Sequence, residues 1–326
     1  MTLVFTLCSK NYLGQATTLY DSFRKHNPEI AFIIGVVDKL SVDQRKMLDG
    51  YKVLEVDELG SDKIKGMYDR YNIIELNTAV KPYYIEYFFT AYQASKVIYF
   101  DPDVLVLHPV DHIIEQLETF SYLLTPHFCS PIYDNFLLTE QVTLATGTFN
   151  LGFCAVKNDI NGNRLIDWWC KKLLDECIMD LSRSYFVDQK WMNLSVCYFE
   201  SFLVDRHLGM NMAHWNLHER VLTSDGNGGY LVNNMYPLIF FHFSSYKPDR
   251  PMVIADWQNR FSFETRPDLV SLFDDYRRRL ESHHYAMFKS WRPEYGLPVP
   301  VSKQNKFSAI IKNRVKQLVG KYKTAL

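Results

Sequence analysis

The sequence predicts an α/β fold: a mostly parallel central sheet with helices on both faces and a helical portion added after it. Two observations carry this expectation. The first hundred residues alternate short, continuous apolar runs with stretches of helical period, the pattern of parallel strands buried on both faces. The chain has 326 residues, 47% hydrophobic and 15% aromatic. That is enough for an α/β body of about 220–260 residues with an appended C-terminal portion.

The elements follow in order. Leu3–Cys8 is an apolar run ending at a polar turn, the first strand. Leu13, Leu19 and Phe23 recur at near-helical spacing up to Asn27 and Pro28. Ala31–Val37 is the second strand and ends at Asp38; Val53–Val56 is a weaker third. Tyr71–Tyr92 reads as helical, with a break or a start near Lys81 imposed by Pro82. Val97–Phe100 is the fourth strand. Farther on, Thr148–Val156 reads as a strand and Arg164–Ile178 as a helix. Val221–Thr223 and Tyr230–Val232 flank a glycine-rich hairpin turn. Leu238–Phe243 is a strand, Pro267–Tyr285 a helix, and the segment from Gly296 to Pro300 a linker. The expected division is a body over 1–250, a helical portion packing on it over 251–295, and a linker with a basic tail over 296–326.

Charge narrows the class. Seven of the 36 basic residues and none of the 37 acidic ones fall in 303–326, so the body is acidic and nucleic-acid binding is disfavoured. In that tail Phe307, Ile310, Ile311, Val315, Leu318, Val319 and Tyr322 fall on one helical face, with lysines around them. A cationic amphipathic helix of this kind suits an anionic membrane surface, or docking on the acidic body or a second subunit. The six cysteines show no CxxC pair or zinc spacing and read as reduced core residues. The start has no basic region of a signal peptide, and no run approaches a membrane span. A cytoplasmic protein, peripheral on the inner face of the plasma membrane through its tail, is expected.

The sharpest local feature is the strand Val97–Phe100 ending in Asp101-Pro-Asp103. In open α/β sheets ligands bind beyond the carboxyl ends of the strands. Two carboxylates one residue apart at that place suit a hard divalent cation such as Mn²⁺ or Mg²⁺, which bridges to phosphate oxygens. By itself Asp-x-Asp also marks a solvated turn.

Several segments in order extend the pattern. Asp101-Pro-Asp103 is followed by Phe149-Asn150-Leu-Gly152, by Asp188-Gln189 and by His242-Phe-Ser-Ser-Tyr-Lys247-Pro. Together they resemble the GT-A-type glycosyltransferases, and among these the retaining family-8 enzymes, over about residues 3–250. The set is more specific than any single motif. The resemblance implies a GT-A-like sheet, a nucleotide-sugar donor with UDP favoured, and a carbohydrate, lipid-linked or protein-linked acceptor. It implies Asp101, Asp103 and His242 as metal ligands, with Asp101 also on the donor side. Asn150 and Gly152 would line the donor site. Lys247 would meet the phosphates, although its spacing from His242 is five rather than six and serines stand where the family has glycine. Tyr12 would stack on the base or pack on the sheet. Asp38 would touch base or ribose. Lys81 would sit between donor and catalytic centre or be a solvated lysine. Asp188 would bond sugar hydroxyls and Gln189 would lie beneath the anomeric carbon, unless Asp188 is merely a helix cap. A buried, backbone-bonded His242 and a solvated Lys247 are the plain alternatives. Trp215 or Asn216, in His214-Trp-Asn-Leu-His-Glu-Arg220, are expected to face sugar.

Three rivals stand beside this reading: a nucleotide-sugar-binding or scaffolding subunit without catalysis, an inverting enzyme of the same shape, and another nucleotide enzyme. The third is disfavoured because no GxGxxG follows the first strand and no GxxxxGK[ST] occurs.

Overall fold

A computed structural model describes residues 1–298. The expected basic tail, 303–326, lies outside the described residues.

The main sheet has seven strands. Its labelled members are β1 (Thr2–Cys8), β2 (Ala31–Val36), β3 (Val53–Glu55), β4 (Lys96–Phe100), β6 (Tyr122–Pro126) and β7 (Phe149–Lys157); the short β5 (Val104–Val106) belongs elsewhere. The order is Phe202–Val204, β6, β7, β4, β1, β2, β3. Every neighbouring pair is parallel except those made by β7, which runs against both β4 and β6. The expected mostly parallel sheet with helices is the fold observed.

Side chains on the strands alternate between two cores. Leu3, Phe5 and Leu7 of β1, with Val97 and Tyr99 of β4, join a core with residues of the helices Lys81–Ala91 and Ile160–Glu176. Val4, Ile98 and Phe100 join the opposite core with the helices Leu13–His26 and Asp111–Thr119. The period of two is that of a strand, and burial of both faces explains the continuous apolar runs.

The expected helix over 71–92 is two helices, Ile73–Ala79 and Lys81–Ala91, meeting at Val80. Pro82 sits in the first turn of the second, where its missing N–H costs nothing. The helix expected from Arg164 starts earlier, at Ile160, because Asp159 caps it by accepting from the Gly162 N–H.

After β4 the chain turns at Asp101–Asp103 into β5. There it pairs with the strand Phe240–His242, which also pairs with Met212–Ala213 in a second small sheet. This sheet packs on the helix Val270–Ser282 through Phe241, Phe243, Phe273 and Tyr276. Residues 251–266 contain no helix; the helical part begins at Pro267 and continues as Tyr285–Lys289. Gly296 and Leu297, expected as linker, are tied to the body: the Leu297 N–H donates to the Tyr71 carbonyl at 2.7 Å.

Candidate active site

Two backbone pairings assemble the site. The Asp101 N–H donates to the Gly152 carbonyl at 2.8 Å, which ties the end of β4 to β7. The Phe243 N–H donates to the Asp103 carbonyl at 2.8 Å, and His242 stands opposite Val104 in the ladder. His242 therefore meets Asp103 and Asp101, 139 and 141 positions before it, at the carboxyl end of β4. His242 Nε2 lies 3.0 Å from Asp103 Oδ1 and 3.7 Å from Asp101 Oδ2. One ligand atom from each of the three falls within 4.8 Å of the others. Tyr99 donates to the second Asp101 oxygen at 2.6 Å and so fixes that carboxylate.

His242 is buried and clamped. Trp215 meets its ring edge-on, with centroids 5.2 Å apart. Gly152 lies against the ring: a Cβ there would stand 2.2 Å from His242 Cε1. The need for glycine in the Asn-x-Gly segment is thus the room taken by the histidine. Burial alone would lower the His242 pKa; Asp103, and then Asp101, outweigh burial and raise it. Two nearby histidines behave oppositely. Burial pushes His127 down to about 4 and His214 down to about 3, so both are neutral.

Beside this cluster lies a second. Lys81 is buried, with Nζ 2.6 Å from Asp188 Oδ2, 2.8 Å from the Leu151 carbonyl and 4.3 Å from the centre of the Tyr99 ring. Burial works against its charge, but Asp188 and then Asp101 more than compensate, and its pKa is raised. A cation at a helix N-terminus is normally unfavourable; here a buried carboxylate holds it. Asp188 is not the cap of the following helix, whose N-cap is Trp191. Gln189 donates through Nε2 to the Thr146 carbonyl at 3.2 Å and accepts at Oε1 from the Leu151 N–H at 3.3 Å. Gly147, at φ +131°, gives it room, since a Cβ there would lie 2.9 Å from Gln189 Cγ.

The remaining expected residues divide. Tyr12, 45% exposed, lines a cleft of about 210 Å³ with Asp103 and Lys247. Lys247 is half-exposed and paired with Asp256 at 2.7 Å. Asp38 meets protein: it is fully buried and accepts from the Lys39 and Glu294 N–H groups, both at 2.9 Å. Asn150 Oδ1 accepts from the Gly152 N–H at 3.1 Å, and its amide is buried. Asn216 pins its own loop: its amide donates to the Asn211 and His127 carbonyls, and its oxygen accepts from the Ala213 N–H. Trp215 is buried against His242 and His127.

Two residues at the site, one lining the cleft and one buried behind His242, carry no signal in the sequence. Lys289, on the last described helix, borders the same cleft as Lys247. Asn211 bonds the far side of the His242 ring. Neither belongs to a motif, and only the fold brings them to the site.

The donor set fits a hard divalent cation. It offers two carboxylates and one imidazole nitrogen at a cleft also bordered by two lysines.

No family model matches the chain. It aligns with two uncharacterized proteins of Bacillus subtilis (strain 168). YfnF is 24% identical over 297 residues, covering 89% of this chain and 95% of the relative. YfnD is 21% identical over 246 residues, covering 74% and 76%. Among solved structures it is similar to the galactosyltransferase LgtC in complex with donor and acceptor sugar analogues. The TM-score is 0.50 at 14% identity, over 94% of this chain and 100% of that one. The chain has the GT-A glycosyltransferase fold.

Proposed function

We propose that the protein is a metal-dependent glycosyltransferase that moves a sugar from a nucleotide-diphosphate donor, UDP-linked by preference, to a carbohydrate, lipid-linked or protein-linked acceptor with retention. The single observation that carries this reading is the meeting of Asp101, Asp103 and His242 at the strand end, beside the Lys247–Lys289 cleft.

Asp101, Asp103 and His242 would hold Mn²⁺ or Mg²⁺. When bound, such an ion neutralises the diphosphate and stabilises it as leaving group. The chain's own residues do the rest. Lys247, paired with Asp256, and Lys289, paired with Asp249 and lying over the Tyr285 ring, would exchange those carboxylates for phosphate oxygens. Tyr12 offers a ring to the base. Lys81 fixes Asp188, whose carboxylate accepts from donor hydroxyls. The Gln189 amide, held at both ends, presents a dipole to positive charge growing at the anomeric carbon. In a front-face transfer the carbon–phosphate oxygen bond breaks and the bond to the acceptor oxygen forms on the same face. The acceptor proton passes to the departing phosphate. Retention is testable on its own: an inverted anomer in the product, read by NMR, would exclude it.

No helix among the described residues is long and apolar enough to cross a membrane. Attachment to the inner face of the plasma membrane through 303–326 is part of the proposal and rests on the basic and apolar pattern of that segment.

The test is thermal stabilisation by UDP, GDP, CMP and dTDP, each with Mn²⁺ and with EDTA, in wild type and Asp103→Ala. A ligand at a hundred times its Kd adds about 2.7 kcal/mol, or about 5 °C for a chain of this size. A metal-dependent shift with one nucleotide, lost in the variant, is expected. No shift with any nucleotide would exclude an assembled donor site and leave the non-catalytic reading.

A further inference from the structure

The far nitrogen of His242 ends a buried chain of side chains whose polarity is set by two backbone groups. At one end His127 Nδ1 lies 3.1 Å from the Thr148 carbonyl, which can only accept, so the proton is on Nδ1 and Nε2 is an acceptor. Asn150 Nδ2 faces that Nε2 at 3.4 Å and donates. At the other side of the same amide, Asn150 Oδ1 takes the Gly152 N–H at 3.1 Å. Both contacts orient Asn150 the same way. Asn211 must then present its amino group to Asn150 Oδ1, at 3.0 Å, and it also donates to Thr125 Oγ1 at 2.8 Å. Its oxygen is left to face His242 Nδ1 at 3.3 Å. An oxygen accepts, so Nδ1 carries the proton. The lone pair of the neutral imidazole is then on Nε2, aimed at Asp103 and Asp101. That lone pair faces two carboxylates, a contact relieved either by a proton on Nε2, which the carboxylates favour, or by a metal ion that displaces it.

We propose that Asn211 is the positioning residue of the metal centre: through the Asn150 relay it fixes His242 with Nδ1 protonated and Nε2 free to bind the ion. Its place in the fold agrees. Asn211 is 1% exposed and at φ +51°, a left-handed conformation that asparagine tolerates better than most residues. Outer partners of ligating histidines act in this way, and removing one typically costs 10–100-fold in metal affinity.

This inference rests on the metal reading above, and the test separates the two. The full chain is titrated with Mn²⁺, alone and with UDP, by electron paramagnetic resonance; nitrogen modulation of the spin echo reports a coordinated imidazole. Wild type is expected to bind Mn²⁺ and show the modulation. Asn211→Leu is expected to bind about 10–100-fold more weakly and to lose the modulation. Asn211→Asp loses the donors to Asn150 Oδ1 and Thr125 Oγ1 but still accepts from Nδ1–H, and is expected to keep the modulation with binding weaker than wild type and tighter than Asn211→Leu. If Asn211→Leu does not fold, Asn150→Ala, which releases the Asn211 amide, takes its place, with the same direction of change. Thermal unfolding checks each fold. Asn211→Leu that binds within twofold of wild type with the modulation intact overturns the role of Asn211. Wild type that binds no Mn²⁺ under either condition overturns the metal reading, and the assignment of Asn211 falls with it.

Discussion

Replacing Asp188 by asparagine removes the counter-charge of Lys81 and leaves the side chain nearly isosteric. The Lys81 and Asp188 side chains are 2% and 3% exposed, so water cannot take the place of the lost carboxylate. Removing one partner of a buried pair costs about 3–5 kcal/mol. Lys81 keeps the Leu151 carbonyl and the Tyr99 ring face, and Asp101 remains nearby. These place the cost at the lower end, about 3 kcal/mol. With a urea m-value of about 3 kcal/mol per molar, the unfolding midpoint falls by about 1 M. Lys81→Met with Asp188→Leu removes both charges together and is expected to recover most of the loss, because apolar replacements of buried pairs are often neutral. The assay is equilibrium urea unfolding of the wild type, the singles and the double variant. An Asp188→Asn midpoint within 0.2 M or so of wild type would refute a desolvated pair at this position. So would a double variant less stable than either single.

Three further outcomes are expected. Gly152→Ala puts a Cβ 2.2 Å from His242 Cε1, and Trp215 blocks the ring from edging away. The ring must move by more than the ~0.5 Å a site tolerates, and calorimetry should show Mn²⁺ affinity falling at least about tenfold. His127 and His214 are neutral and buried, with pKa values held down to about 4 and about 3. The unfolded chain binds their protons first, so stability falls as the pH drops below about 6.5. At pH 5.5 the loss is about 1.4 kcal/mol for each, partly offset by His242, whose raised pKa works in the opposite sense. Urea midpoints between pH 7.5 and 5.5 measure it, and a flat profile would contradict the burial of these rings. Lys289→Ala removes a surface ion pair with Asp249, worth at most about 1 kcal/mol to stability. It should weaken UDP binding about fivefold at an almost unchanged melting temperature; unchanged affinity would take Lys289 out of the phosphate cleft.

The legible strands are those whose buried faces make an unbroken apolar run closed by polar residues. β1, β2 and β4 announce themselves as apolar runs closed by polar residues. β6 and the strand Phe202–Val204 give no comparable signal: Tyr122–Pro126 is as long as β4 but ends in Thr125 and a proline at an irregular register, and Phe202–Val204 has three residues. The antiparallel sense of β7 is not visible in its residues, because burial on both faces looks alike in either direction. Asp101 and Asp103 stand out because a strand ends there. His242 follows another apolar run, and their meeting depends only on the β5 ladder. Asn211 and Lys289 could not be singled out. One lies in a left-handed turn and the other on a five-residue helix, and each gains its place from packing with segments far along the chain. Asp38 shows the converse. At a strand end it looks available to ligand, yet the backbone at Glu294, 256 residues on, closes over it.

Catalysis by the Asp101–Asp103–His242 centre is the central claim, and donor turnover tests it most directly. UDP-glucose, UDP-galactose and UDP-N-acetylglucosamine are incubated with wild type and Asp103→Ala, with Mn²⁺ or with EDTA, and UDP release is followed. Water serves as acceptor when none is supplied, so slow release from one donor is expected, dependent on Mn²⁺ and lost in the folded variant. If a nucleotide binds at the site but no donor is consumed under any condition, the account is contradicted and the fold serves binding alone.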